Sequence, residues 1–305
     1  MTWFEALVLG LLQGITEFLP VSSSGHLVIG KELFGIETQS VAFEVAVHTA
    51  TVLSTFTVFR KEITRLLLGC TQPFFRKEAP FIRLGGRLKL PYNEDIRYVL
   101  VLLLSMLPVL VVGLFFKGQI ETLFGSGLMI VGTMLIVTSL LLLLAQTATG
   151  RTTSVADSAT SIPSAPAASA FVAVPSGKSL SYKDAFFIGI AQAVAVLPGL
   201  SRSGATISTG LLLGNNRAAV AKFSFLMVLI PVLGEAFLDV IKGGFAPQAS
   251  GIGAGALLIG FVAAFLSGLA ACKWMIALVK RAKLWGFAFY CTIVGAGCLL
   301  FHIIT

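Results

Sequence analysis

The stretch Gln13-Gly-Ile-Thr-Glu17-Phe-Leu-Pro-Val-Ser22-Ser-Ser-Gly-His26 decides how this chain folds, because it places polar groups inside an otherwise apolar segment. Pro20 interrupts the segment, since proline has no amide hydrogen and disfavours helix in the residue before it. The pattern therefore predicts a helix that ends at the proline, a polar turn at the serines and a returning helix that starts near His26.

The same plan occurs again 179 positions later, around Pro198-Gly-Leu-Ser-Arg-Ser-Gly-Ala-Thr206. At this constant offset the matching pairs are Gly10 and Gly189, Gln13 and Gln192, Ser22 and Ser201, Ser24 and Ser203, and Gly25 and Gly204. Only the Leu-Pro pair is shifted, by one position. Membrane proteins built from two such halves often place their binding site where the interruptions meet.

The composition indicates a membrane protein. Hydrophobic residues make up 56% of the 305 residues and charged residues 12%, and the mean hydropathy is +0.93. A soluble domain carries about 25% charged residues. Apolar runs close to the roughly 20 residues that cross a bilayer occur at 41–59, 98–116, 124–146, 218–241, 251–272 and 285–304. We predict an all-α polytopic membrane protein with about six transmembrane helices and two re-entrant helical hairpins.

The distribution of basic residues predicts how the chain is oriented. Lysines and arginines concentrate in the connection 60–97 and again in 273–283. Cytoplasmic loops carry such an excess, so we place both connections inside. The hairpin 1–40 then dips in from outside, and the hairpin 182–217 dips in from inside. The net charge of +8 thus reflects membrane orientation, and we expect no nucleic-acid partner.

The spans and hairpins divide the chain into two repeats. The first repeat is 1–147 and the second is 182–305. The segment 148–181, rich in Ser, Thr, Ala and Pro, is predicted to be a flexible linker. Each repeat holds one hairpin and three spans, and an odd number of spans inverts the second repeat relative to the first. Non-helical backbone at membrane depth is tolerated only where it is buried or lines a cavity. The turns of the two hairpins with their flanking residues, which we call the tips (13–26 and 198–206), should therefore meet around a polar site.

Two ionisable residues in the tips are the strongest functional candidates. Glu17 lies among Ile15, Phe18 and Leu19. Burying a carboxylate among apolar side chains costs free energy, so a functional role is favoured over a structural one. Arg202 lies in the second tip, and the planar fork of its guanidinium suits phosphate oxygens. The helix starts that follow each tip would add free backbone amides, which bind anions.

Other polar and small residues have structural readings as well. A Ser-Ser-Ser-Gly run is most often a turn or a helix cap. His26 is either a structural hydrogen-bonding group or part of the site. We expect Gly10 and Gly14 to form a close helix–helix contact. Glu44 and His48, four residues apart, either line the mouth of the site or form an interfacial pair.

The two tips resemble the two signatures of the undecaprenyl-diphosphate phosphatase family, also called bacitracin-resistance proteins. The first signature is Glu or Gln, three residues, then Glu, and Gln13 and Glu17 match it. The second is Pro-Gly-x-Ser-Arg-Ser-x-x-Thr, and the segment from Pro198 to Thr206 matches it in full. The similarity of layout covers nearly the whole chain, and the pair of motifs is highly specific.

The resemblance implies an enzyme that removes the terminal phosphate of undecaprenyl diphosphate and regenerates the monophosphate carrier for cell-wall assembly. It implies a divalent metal, Mg²⁺ or Ca²⁺, and a multi-pass protein of the bacterial plasma (inner) membrane. The active site would face the periplasm or the outside. The expected partners are the polyprenyl diphosphate lipid and the bilayer, and a homodimer is left open.

The resemblance also suggests residue roles. The implied metal ligands are Glu17 and Gln13, and the implied catalytic residues are His26, Glu17, Arg202 and Ser23. The implied phosphate-binding residues are Ser22, Ser24, Gly25, Ser201, Ser203, Gly204 and Thr206. The division of labour between the histidine and the serines stays open, since an imidazole can serve as base, acid or nucleophile. We favour His26 as the base and Ser23 as the nearby hydroxyl.

Two other functions fit parts of the pattern. A secondary transporter or a lipid flippase also uses inverted repeats with broken helices, and it would move a ligand without releasing phosphate. The acid-phosphatase superfamily is suggested by Ser-Gly-His at 24–26, but it needs a histidine shortly after its Ser-Arg. The chain has only His26, His48 and His302, so we set that family aside.

Overall fold

The computed structural model describes residues 1–36, 42–75, 81–84, 88–91, 93–124, 127–158, 178, 180–241, 251–281 and 284–304. The helices are α1 Trp3–Phe18, α2 Ser23–Leu33, α3 Ala42–Val58, α4 Arg60–Phe75, α5 Glu94–Phe115, α6 Lys117–Phe124, α7 Gly127–Ser158, α8 Tyr182–Val194, α9 Arg202–Leu212, α10 Arg217–Met227, α11 Leu229–Ile241, α12 Ala254–Arg281 and α13 Trp285–Ile304. Two short antiparallel strands, β1 Phe81–Leu84 and β2 Leu88–Pro91, form a hairpin that the sequence did not predict.

Five helical segments are long and apolar enough to cross a membrane, and the bent pair α3–α4 brings the number to six. The five segments are Glu94–Phe115, Gly127–Ala148, Arg217–Gly234, Ala254–Met275 and Trp285–Ile304. The prediction of an all-α polytopic membrane protein is therefore confirmed.

The two hairpins, α1–α2 and α8–α9, begin with the same cap. The Thr2 amide donates to Glu5 Oε2 at 2.8 Å, and the Glu5 amide donates to Thr2 Oγ1 at 3.2 Å. Ser181 and Asp184 make the same reciprocal pair at 3.0 and 3.2 Å, again 179 positions later. Such a capping box satisfies amides that the first helical turn leaves unpaired. The repeat therefore extends beyond the tips to the outer ends of the hairpins.

The tips differ in how they turn. In the second tip Gly199 takes a positive φ of 91°, which glycine adopts without strain. The first tip has one residue fewer between its proline and its capping serine, and Ser22 itself takes a φ of 68°. Among the described residues, Ser22 is the only non-glycine residue with a positive φ. Such a conformation costs of the order of 1–3 kcal/mol, which the surrounding contacts must offset.

Each hairpin packs against a span of the other half. Helix α1 lies on α12 so closely that a Cβ on Gly10 would be 2.4 Å from the carbonyl oxygen of Gly260. A Cβ on Gly14 would be 1.9 Å from Ser267 Oγ. Helix α8 lies on α5 in the same way, since a Cβ on Gly189 would be 2.3 Å from the carbonyl oxygen of Ser105. The predicted close contact at Gly10 and Gly14 is confirmed, and the halves are interlocked by it.

Three boundaries differ from the predicted ones. The span predicted at 41–59 continues as α4 after a 74° bend, because the chain becomes basic there and Lys222 of α10 binds Glu62. The span predicted at 218–241 is interrupted between α10 and α11, since Pro231 lacks the amide hydrogen that would bond to the Met227 carbonyl. Helix α7 runs to Ser158, into the predicted linker, because no proline stops it before Pro163. Residues 159–177 lie outside the described part of the chain.

Candidate active site

Glu17 lies at the centre of the two tips, and its side chain is 6% exposed. Its Oε2 accepts hydrogen bonds from Gln13 Nε2 at 2.8 Å and from Ser23 Oγ at 2.5 Å. Its Oε1 is paired with the guanidinium of Arg202. Gln13 and Glu17 come from the last turns of α1, Ser23 begins α2 and Arg202 begins α9. The structure thus brings together four of the predicted site residues, from both hairpins.

His48 of α3 also reaches Glu17. Its Nε2 is 3.7 Å from Glu17 Oε2. Its Nδ1 is 2.8 Å from the carbonyl oxygen of Glu44, which can only accept, so Nδ1 carries a hydrogen and donates it. The Glu44 carboxylate turns away and binds Lys31 Nζ at 2.5 Å. The sequence left open whether Glu44 and His48 line the mouth of the site or form an interfacial pair. In the structure His48 lies beside the site, whereas the Glu44 carbonyl fixes the orientation of His48 and the Glu44 carboxylate joins α3 to α2.

In the part of the chain that the structure describes, His26 and Ser23 form no hydrogen bond with each other. Its Nδ1 is 2.7 Å from the Ser22 carbonyl oxygen, and its Nε2 is 2.7 Å from Tyr290 Oη. The His26 and Tyr290 rings are stacked, with centroids 5.6 Å apart and planes 7° apart. We predicted His26 as the base beside Ser23. The structure instead places Ser23 against Glu17, because both ring nitrogens of His26 are already engaged, by the Ser22 carbonyl and by Tyr290.

The capping serines already have partners. Ser22 Oγ accepts from the Gly25 amide at 3.2 Å, and Ser201 Oγ accepts from the Gly204 amide at 3.0 Å. Ser24 Oγ is 3.4 Å from Ser22 Oγ. These contacts match the turn-and-cap reading of the serines. A phosphate would have to replace such contacts in order to use these groups.

The other predicted phosphate-binding residues hold the tips together. Ser203 Oγ donates to the Leu19 carbonyl of the first tip at 3.0 Å. Thr206 Oγ1 donates to the Arg202 carbonyl at 2.8 Å and is 2.6 Å from Ser224 Oγ. Gly25 allows close packing, since a Cβ there would be 3.0 Å from the Cα of Gly199. In the structure these residues shape the site around Glu17 and Arg202.

A cavity opens beside the ion pair. Glu17 and Arg202 form its polar end, together with Ser203 and Ser224. Its remaining wall is apolar and consists of Phe18, Phe225 and Val228. The two phenylalanine rings meet edge to face, with centroids 5.9 Å apart. The cavity thus places polar groups of the site next to an apolar wall, in a volume of about 10 Å³.

Gln13 is the clearest place for a metal ligand. Its Oε1 is buried and has no hydrogen-bond partner, which is rare for a buried polar atom. Amide and carboxylate oxygens are the ligands that Mg²⁺ and Ca²⁺ prefer. Within the described residues no group of three or more His, Cys, Asp or Glu side chains is arranged for a metal. The residues therefore fit a hard cation that takes few protein ligands and completes its shell with water and phosphate.

Two contacts of the site were missed by the sequence analysis. Tyr290, which bonds to His26, lies 264 positions away in the last helix. Lys31, which neutralises Glu44, lies at the end of α2. Neither has a repeated counterpart or a diagnostic spacing. The only signal is a single polar group on an otherwise apolar segment, which is too common to predict a contact.

Comparisons with known proteins agree with the architecture. A family model described as "Bacitracin resistance protein BacA" matches residues 6–297. The chain is 50% identical to the undecaprenyl-diphosphatase of Parabacteroides distasonis over 298 residues, which cover 97% of this chain and 96% of the relative. It is 50% identical to the protein of the same name from Bacteroides fragilis, with 97% and 96% covered. It is 43% identical to that of Christiangramia forsetii, with 99% and 98% covered.

Proposed function

This chain belongs to the bacitracin resistance protein BacA family, and we propose from this membership that it is an integral membrane phosphatase. Its substrate is undecaprenyl diphosphate, and its products are undecaprenyl phosphate and inorganic phosphate. The reaction recycles the lipid carrier of cell-wall assembly and thereby confers resistance to bacitracin. The relatives are named as diphosphatases, which favours a hydrolase over the secondary transporter or lipid flippase.

One observation in the chain itself carries the proposal, namely that Glu17 binds both Ser23 and Arg202. A hydroxyl that donates to a carboxylate has the geometry of a nucleophile beside its base. A guanidinium offers two parallel donors to phosphate oxygens. Phosphoryl transfer depends mainly on positioning and on neutralisation of charge, and these groups supply both.

The geometry supports a two-step reaction. Ser23 Oγ attacks the terminal phosphorus, and Glu17 accepts the hydroxyl proton. The bond from the terminal phosphorus to the bridging oxygen breaks, and undecaprenyl phosphate leaves with the electron pair. The oxygen of a water molecule then attacks the phosphorus of the phosphoserine, and the bond from phosphorus to the Ser23 oxygen breaks. Glu17 returns its proton to the Ser23 oxygen, and the hydrogens of the water leave with the inorganic phosphate. Arg202 turns from Glu17 to the phosphate oxygens as the substrate binds, because one guanidinium serves both anions.

We also propose a divalent cation, Mg²⁺ or Ca²⁺, at Glu17 and Gln13. The buried Gln13 Oε1 without a hydrogen-bond partner supports this assignment. A cation bound there would neutralise phosphate charge and polarise the phosphoryl group. Since the site offers one carboxylate, the diphosphate itself would supply further oxygen ligands, as is usual for Mg²⁺.

The proposed orientation places the tips within reach of the periplasmic side of the bacterial inner membrane. The basic connection 60–97 and the linker 148–181 are then cytoplasmic. The test introduces Glu32→Cys or Ser164→Cys, one at a time, into a Cys70→Ser background in which the three remaining cysteines are buried. A membrane-impermeant thiol reagent is then applied to spheroplasts. We expect labelling at position 32 only. Labelling at position 164 in intact spheroplasts would contradict the orientation.

Phosphate release tests the activity directly. Purified protein in detergent is given undecaprenyl diphosphate with and without a chelator, and the Glu17→Gln variant serves as the control. We expect the wild-type protein to release one phosphate per lipid and the chelator to suppress the release. Equal release by both proteins, or uptake of labelled lipid into vesicles without release, would contradict a phosphatase centred on Glu17.

A further inference from the structure

We propose that Tyr290 is a positioning residue that acts through His26 to hold the first tip in its strained shape. The inference rests on the proposed function, because the shape of the tip is what presents Ser23 to Glu17. Tyr290 belongs to α13, in the second half of the chain, whereas His26 and Ser22 belong to the first. The last helix thus supports the tip from outside its own hairpin.

The hydrogen atoms between these groups can be assigned from chemistry. The Ser22 carbonyl oxygen can only accept, so His26 Nδ1 donates to it over 2.7 Å. In a neutral imidazole the other nitrogen is then an acceptor, so Tyr290 Oη donates to Nε2 over 2.7 Å. Both ring nitrogens are engaged, and His26 links the Tyr290 hydroxyl to the Ser22 backbone.

The Ser22 carbonyl is the point at which the tip needs support. Ser22 has φ 68° and ψ 97°, a backbone conformation that residues other than glycine rarely adopt. Ser23 follows immediately, and its Oγ lies 2.5 Å from Glu17 Oε2. A relaxation of Ser22 would rotate the next peptide and move Ser23 away from the carboxylate. The bond from His26 opposes that rotation.

A second contact of α13 points to the same role. The neighbouring residue, Cys291, is buried, and its Sγ lies 3.6 Å from the Pro20 carbonyl oxygen. Two consecutive residues of α13 therefore contact the tip on either side of its turn. Parallel stacking of the Tyr290 and His26 rings, with planes 7° apart, further restricts the imidazole.

The test is Tyr290→Phe, which keeps the ring and removes the hydroxyl. Tyr290 is 42% exposed, so the variant should fold. The matched control is Tyr98→Phe, since the Tyr98 hydroxyl is buried in α5 and has no hydrogen-bond partner among the described residues. We expect kcat to fall about tenfold in Tyr290→Phe, the equivalent of one lost hydrogen bond, with KM unchanged. Tyr98→Phe should match the wild-type kcat.

Nitrogen-15 NMR of the imidazoles supplies a readout that does not depend on activity. The chain has three histidines, so His48→Gln and His302→Gln assign the spectrum. In the wild type His26 should be protonated at Nδ1, with a hydrogen-bonded Nε2, and in Tyr290→Phe the Nε2 resonance should move downfield. An unchanged Nε2 resonance overturns the contact, and a wild-type kcat with a moved resonance overturns the positioning role. If the wild-type protein releases no phosphate, the proposed function fails while the NMR result still decides the contact.

Discussion

Glu17 and Arg202 form an ion pair although 185 residues separate them along the chain. Glu17 lies in the last turn of α1 and Arg202 is the first residue of α9, so the pair joins the two tips. Both side chains are largely withdrawn from solvent, and each charge compensates the other. A phosphate must therefore compete with Glu17 for the guanidinium.

Arg202→Lys should impair the chemical step. Lysine keeps the charge but loses the bidentate fork, and negative charge on the phosphate oxygens must be stabilised during transfer. Loss of one such preorganised donor costs on the order of 10²–10³ in rate, so kcat should fall by that factor at saturating substrate. The control is Arg65→Lys, an exposed arginine of α4 that is paired with Glu62 and with Asp95 of α5. A raised KM with an unchanged kcat would reduce Arg202 to a docking residue.

Glu17→Gln should abolish most of the activity, because an amide cannot accept the Ser23 proton. The variant should also unfold at a lower temperature, since Arg202 would be left without its counter-charge. Inorganic phosphate should restore part of that stability by binding the guanidinium. Phosphate release and thermal unfolding in detergent, with and without phosphate, measure these effects. A near-normal rate with unchanged metal dependence would show that Glu17 is structural.

Ser23→Ala should lower kcat by more than about 10³-fold, as expected when a nucleophile is removed. The matched control is Ser24→Ala, the adjacent hydroxyl, whose contact is to Ser22. The loss of that weak contact should cost less than about tenfold. Single-turnover kinetics with labelled diphosphate measure both variants. Equal losses in the two would indicate that the hydroxyls act only on the conformation of the tip.

Gln13→Glu should lower the metal concentration needed for half-maximal activity, because a second carboxylate strengthens a site for hard cations. The same variant should be less stable in chelator, where the introduced carboxylate and that of Glu17 would repel each other. Activity titrated against Mg²⁺ and Ca²⁺ and unfolding in chelator are the two measurements. An identical metal dependence in both proteins would place the cation elsewhere.

Gly14→Ala should destabilise the protein by about 1–3 kcal/mol, because a Cβ would lie 1.9 Å from Ser267 Oγ and 2.5 Å from the Ala264 carbonyl. The control is Gly297→Ala in α13, where an added Cβ meets nothing within 4 Å. Alanine favours helix over glycine, so that variant should be unchanged or slightly stabilised. Unfolding temperatures in the same detergent compare the two.

The meeting of the two tips, which carry Glu17 and Arg202, could be predicted because it follows from the repeat, whereas the ion pair between these residues is a finding of the structure. Two interruptions at a constant offset must be buried, and buried charges must be paired. The close approach at Gly10 and Gly14 was predictable for a similar reason, since small residues at helical spacing allow backbones to touch. These inferences need only the pattern and the cost of burying polar groups.

The partners of His26 and the serines could not be predicted in this way. A serine at position 22 or 201 looks the same in the sequence whether it caps a helix or binds phosphate. Only the local backbone determines which of these roles its hydroxyl takes. The partner of His26 Nε2 is Tyr290, whose position is set by the packing of α13. A contact between two single residues that are far apart along the chain produces no periodic pattern from which it could be predicted.

The two capping serines show how a repeated sequence forms a site whose two halves carry different side chains. Ser22 and Ser201 cap their helices alike, so the residue after each cap occupies the same architectural position. That position holds Ser23 in one copy and Arg202 in the other. Glu17 likewise corresponds to Val196 at the offset of 179. The hydroxyl that we propose as the nucleophile and the guanidinium that we propose to bind phosphate thus occupy matching positions after the two capping serines.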